Sequence, residues 1–101
     1  MSEDFRLYEA QRIRYLLLLE LSHQPSGSWT LSMLTKAMRA RGYQKLPDFL
    51  LNQLQWLESE CLAVRLVPAN DETVVKLRGA GRHHVDGTLL LHGVDRPDDE
   101  A

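Results

Sequence analysis

The residues best suited to chemistry in this sequence are four histidines, His23, His83, His84 and His92, one cysteine, Cys61, and neighbouring carboxylates at Glu3 with Asp4, at Asp71 with Glu72 and in the C-terminal "DRPDDEA". A thiolate metal cluster needs several cysteines, and one cannot supply it. His83 and His84 are adjacent, so their rings point in different directions on a helix or a strand, and no His/Asp set recurs at helical spacing. The stretch "RGAGRHHVDG" offers Gly79 and Gly81 to a dinucleotide loop, but His84 stands where the third glycine belongs, and no first strand leads into it. Cys61 falls on the apolar stripe of a helix, which favours an inert thiol over a nucleophile. The carboxylate pairs have no evident pocket, the setting of solvated charge and not of general acid–base work. The expectation is a non-enzyme with no metal and no cofactor.

The basic residues are more informative. No acid lies between Glu20 and Asp48, whereas Lys36, Arg39, Arg41 and Lys45 do; a second group, Arg65, Lys76, Arg78 and Arg82, is interrupted only by Asp71 and Glu72. The last seven residues carry four acids against Arg96, a balance of -3, so the remainder of a chain of net charge -2 is about +1. Local patches therefore say more than net charge. Lys36, Arg39, Arg41, Lys45, Arg65, Lys76 and Arg78 are of the type that contacts phosphates, and Asn52 and Gln55 of the type that reads adenine in a major groove. The segment that holds Asn52 and Gln55, "LPDFLLNQLQWLESE", contains Asp48, Glu58 and Glu60 and no base. Against a polyanion it would serve as a spacer more than a reader.

Positioning those residues falls to a single domain, because 101 residues leave no room for a second core. With 44% hydrophobic residues and a mean hydropathy of -0.32 the chain can bury one modest core. No apolar run reaches the ~18 residues of a membrane span, and the N-terminus lacks the basic region and cleavage site of a signal peptide, so a cytosolic protein is expected.

From Phe5 to Leu21 apolar residues fall at helical spacing, with Phe5, Ala10, Ile13, Leu16, Leu17 and Leu21 on one broad core-facing side and Tyr8, Tyr15 and Leu19 on another. Pro25 and Gly27 break the chain, and Trp29 suits a short strand or turn. Thr30 is suited to cap a second helix from Leu31 to Arg41 that Gly42 stops, with Leu34, Ala37 and Met38 inward. Pro47 and Asp48 suit the first turn of a third helix. There Leu50, Leu54, Leu57 and Cys61 make the core stripe, and Asp48, Asn52, Gln55 and Ser59 the exposed one. "LAVRLVP" and "TVVKLR" around "ANDE" predict a hairpin. Leu62 and Val64 are expected to complete the core. "GAGRHHVDG" is too rich in glycine to predict a helix, and "TLLLHGV" leaves strand, helical turn and packing tail all open.

Helix, helix, tight turn, helix and hairpin is the order of a winged helix-turn-helix, a mainly α fold with a small β-hairpin wing (α+β). "LNQLQWLESECLAVRLV" resembles the third helix of that superfamily running into its wing. The size, "WLE" before the first wing strand and "GVDRP" near the C-terminus resemble a family of small Mu-like phage and prophage proteins with an ArsR-like winged helix, over residues 5–97. The resemblance implies one winged domain over residues 1–94, an acidic tail without fixed structure at 95–101, and a bacterial host cytoplasm. It also implies either binding of double-stranded DNA or service as an adaptor to a phage protein. Leu46, Phe49 and Leu51 occupy places where such domains often carry Ser, Thr or bases, and Cys61 stands where a helix-ending glycine is common. Phe49, Leu51 and Trp56 on or beside the third helix would suit a protein partner. Tyr8, Tyr15 and Leu19 would suit a homodimer through the first helix, unless "TLLLHGV" folds back over that face.

Overall fold

The computed structural model describes residues 3–97. The chain is α+β, with α1 at Glu3–Ser22, β1 at Ser28–Thr30, α2 at Leu31–Ala40, α3 at Pro47–Cys61, β2 at Val64–Ala69, β3 at Glu72–Leu77 and α4 at Gly79–Asp86. The three strands form one antiparallel sheet in the order β1-β3-β2. This order of elements is compatible with the expected winged arrangement.

Local chemistry accounts for most boundaries. Thr30 caps α2 as expected, its Oγ1 accepting from the Met33 amide at 3.1 Å. Pro47 opens α3, and Leu50, Leu54 and Leu57 are fully buried along its inner stripe. The hairpin turns at Asn70 and Asp71, with Asn70 at φ 59°, a region that asparagine tolerates. Trp29 lies in β1 opposite Val75 and packs against the core.

Leu62 departs from expectation. It is 58% exposed, because it adopts the left-handed conformation (φ 53°, ψ 33°) that ends α3. The position that would favour glycine is thus 62 and not 61. That reversal swings the chain so that Ala63 and Val64 enter the core in its place.

α1 is buried more completely than a one-faced helix would be. Tyr15, Leu16, Leu17 and Leu18 are consecutive and all buried, since α2, α3, β3 and α4 pack around the helix. Tyr15 is therefore not part of an open second face. It is 4% exposed, with its ring edge-on to His84 at a centroid distance of 6.1 Å. Leu19 is half-buried against the same core. Phe5, expected to face inward, is instead 48% exposed near the start of the helix.

The covering elements are α4 and the segment after it, both unassigned from sequence. α4 forms although Gly79 and Gly81 disfavour a helix, because the packing demands a glycine. A Cβ on Gly81 would stand 2.5 Å from the Ala63 carbonyl oxygen and 2.7 Å from Leu77 Cδ1. After α4 the chain runs without regular structure back across α1 and α3, burying Val94 and placing the Asp95 amide on the Gln11 carbonyl at 3.1 Å. "TLLLHGV" is thus a packing segment. The domain extends past residue 94: Asp95, expected in the unfixed tail, also pairs with Arg12 at 3.2 Å. Residues 98–101 of that tail lie outside the described residues.

Candidate nucleic-acid interface

The fold divides the expected phosphate contacts into two sets. Lys36 and Arg39 are exposed on α2 and make no ion pair among the described residues. Arg41, at the end of α2, is held by Glu20 with Nε to Oε2 at 2.7 Å. Lys45 pairs with Glu9 at 3.0 Å and lies over the Phe49 ring, 4.9 Å from its centroid. Two acids of α1, remote in sequence, thus neutralise half of the basic run that precedes α3.

On the sheet, Arg65 and Lys76 are exposed and directly opposite each other in the β2–β3 register. Arg78 is exposed at the start of α4, and Arg82 is exposed one turn later. None of these four has an ion-pair partner among the described residues. Arg82 was visible in the sequence as part of the second basic run, but only the formation of α4 sets its guanidinium beside Gly27 at the end of the sheet.

The outer face of α3 carries Asp48, Asn52, Gln55 and Ser59, all exposed as expected. Glu58 is not available to repel a polyanion there. It is half-buried, and its Oε2 accepts from the Leu66 amide at 2.9 Å, satisfying a donor on the outer strand β2. Glu72 at the hairpin turn is similarly engaged, accepting from Ser32 Oγ at 2.7 and 2.8 Å. Asp48, Glu60 and Asp71 remain exposed, so α3 and the hairpin turn together present acids and no base.

The expected protein-contact residues separate as well. Tyr8 is 59% exposed, and Leu51 is half-buried. Phe49 and Trp56 pack against the core. Trp56 is covered on one side by Arg14, whose guanidinium sits 3.8 Å from the ring centroid, and abuts Gly93, where a Cβ would come within 2.6 Å of the indole. Trp56 is therefore a seat for the C-terminal segment and not a free contact.

Arg14, not singled out by sequence, organises that seat. Its Nε donates to Gln53 Oε1 at 2.8 Å and its Nη1 to the Gly93 carbonyl at 2.9 Å. Burial lowers its pKa, an effect opposed by nearby Cys61. Burial likewise pushes the half-buried Cys61 thiol up, with Arg14 pulling the other way and Glu60 adding to the rise. This is the setting of an unreactive thiol.

His84 is fully buried with both ring nitrogens engaged. The Leu91 amide donates to Nδ1 at 2.8 Å, so the proton resides on Nε2, which donates to the Asp95 carbonyl at 2.7 Å. It joins α4 to the returning segment. His23, His83 and His92 are exposed, and no group of three or more His, Cys, Asp or Glu among the described residues is placed to share a metal ion. No described helix is long and apolar enough to cross a membrane. Comparison with protein-family models, curated proteins and solved structures finds no match to this chain.

Proposed function

We propose that this chain is a non-enzymatic winged helix-turn-helix module, akin to those of small Mu-like phage and prophage proteins, that binds duplex DNA mainly through the phosphate backbone. The observation that carries the reading is the contrast between two surfaces. Lys36, Arg39, Arg65, Lys76 and Arg78 are exposed without acidic partners among the described residues, whereas the outer face of α3 has no base. A helix that reads guanine needs Arg or Lys, and Asn52 and Gln55 are suited to adenine alone. Arg41 and Lys45 contribute only if a phosphate draws them from Glu20 and Glu9.

A second reading, an adaptor to a phage protein, draws on Leu46, which is 72% exposed just before α3, and on half-buried Leu51 beside it. Homodimerisation in either reading would use the exposed Leu7 and Tyr8 end of α1, since Tyr15 is enclosed. Fluorescence anisotropy on random and A·T-rich duplexes tests the first reading. The expected result is similar affinity for both sequences and little change on Asn52→Ala. Salt-tolerant, sequence-selective binding lost on Asn52→Ala or Gln55→Ala would refute the backbone reading, and no binding at low salt would leave the adaptor.

A further inference from the structure

We infer that the nucleic-acid backbone is held on the outer face of the sheet, by Arg65, Lys76 and Arg78, and not across α3. The inference rests on the reading that the chain binds duplex DNA, and it assigns the surface that does so. Arg65 and Lys76 face each other across β2 and β3, and Lys76 faces Ser28 of β1 on its other side. Their chain neighbours Val64 and Val75 are buried, so strand alternation turns both cations away from the core.

Arg78 follows Lys76 by two residues, and its amide donates to the Ala63 carbonyl at 2.9 Å, prolonging the alignment of the two strands into α4. Arg82 is one helical turn on, its amide donating to the Arg78 carbonyl at 3.0 Å. Its guanidinium leans back toward the sheet. Nη2 lies 3.2 Å from where a Cβ on Gly27 would stand, and Gly27 immediately precedes Ser28 of β1. Leu77 Cβ lies 3.7 Å from the same point, so Arg82 sits on the Leu77 side of the sheet, and the outer face is left to Arg65, Lys76 and Arg78, on strands about 4.8 Å apart.

Two like charges placed opposite each other destabilise a sheet. For several other cations the protein supplies a partner acid, as Asp95 does for Arg12, Glu20 for Arg41 and Glu9 for Lys45. Here it supplies none among the described residues, and Asp86, one turn beyond Arg82, makes no ion pair with it. An external polyanion relieves that repulsion. A duplex laid on α3 and the hairpin turn would meet exposed Asp48, Glu60 and Asp71 instead. A lipid surface fits less well than a nucleic acid, because none of the exposed large apolar residues that could insert into it lies on a strand.

The test is anisotropy of the full chain on a random-sequence duplex over a salt series. Three phosphate contacts give a log–log slope of about -2.7, hence roughly a 40-fold loss of affinity between about 50 and 200 mM salt. Arg65→Ala with Lys76→Ala should cut the slope to about -0.9, a loss of only roughly 3.5-fold over the same range. Lys76→Glu separates binding from folding: it places opposite charges across the strands, so its melting temperature should equal or exceed the wild type's while binding falls. Wild-type binding left intact by these variants but abolished by Lys36→Ala with Arg39→Ala would overturn this assignment and leave DNA binding standing. No duplex binding by the wild type at low salt would overturn both. Co-sedimentation with phosphatidylserine vesicles in place of duplex binding would overturn the choice of nucleic acid.

Discussion

Replacing Gly81 by alanine should destabilise the protein, against the local rule that favours alanine in a helix. In an open helix the change gains about 0.8–1.0 kcal/mol. At Gly81 the added methyl would stand 2.5 Å from the Ala63 carbonyl oxygen, 2.7 Å from Leu77 Cδ1 and 3.2 Å from Leu18 Cδ2. Leu18 can yield, but the Ala63 carbonyl cannot move freely, because it accepts from the Arg78 amide at 2.9 Å. Overpacking of this kind costs roughly 1–3 kcal/mol or more, and loss of the strained hydrogen bond adds about 1 kcal/mol. Set against the helix gain, the net loss is about 1–3 kcal/mol. For a domain of this size that lowers the melting temperature by roughly 5–20 °C. Gly79→Ala is the internal control, since nothing lies within 4 Å of a Cβ there. Thermal unfolding followed by circular dichroism should show Gly79→Ala at or above the wild type and Gly81→Ala well below it. A Gly81→Ala variant melting with the wild type would refute the close approach of α4 to the sheet and α1, and with it the placement of Arg82 beside Gly27.

Leu54→Ala removes a fully buried side chain from α3 and should cost about 2–5 kcal/mol, measured by urea titration. Arg14→Leu deletes the bonds to Gln53 and Gly93, a loss of roughly 1.5–3 kcal/mol, and should speed hydrogen exchange at the Leu91 and Asp95 amides before the rest of the fold responds. Burial raises the Cys61 pKa, so iodoacetamide should alkylate the native protein more slowly than the urea-unfolded chain at mildly alkaline pH. The same shift gives the sign of its effect on stability. The folded state holds the thiol proton more tightly, so this contribution is present below the ordinary thiol range and is lost as pH rises through the raised value. A Cys61→Ser variant should show a shallower decline in melting temperature at alkaline pH.

Where one turn of chain holds its own instructions, the sequence determined the outcome. Thr30 before "LSML", Pro47 and Asp48 at the head of an apolar stripe, and two β-rich runs around Asn70 each specify a cap, a helix start or a turn through groups no more than a few residues apart. The exposed stripe of α3, and its lack of bases, was legible for the same reason. Which charges remain available was not, because Glu20 and Glu9 reach Arg41 and Lys45 only once α1 packs beside α2 and α3. Tyr15 read as an open face because periodicity places a residue on one side of a helix without saying what covers that side. α4 was illegible because glycine disfavours a helix locally, while the contact with Ala63 and Leu77 that requires glycine joins residues distant in sequence. The fold-back of residues 88–97 depends likewise on Arg14, His84 and Trp56 meeting backbone groups far along the chain. Short-range patterns thus set the elements, and tertiary packing decided which of their charges and faces remain for a partner.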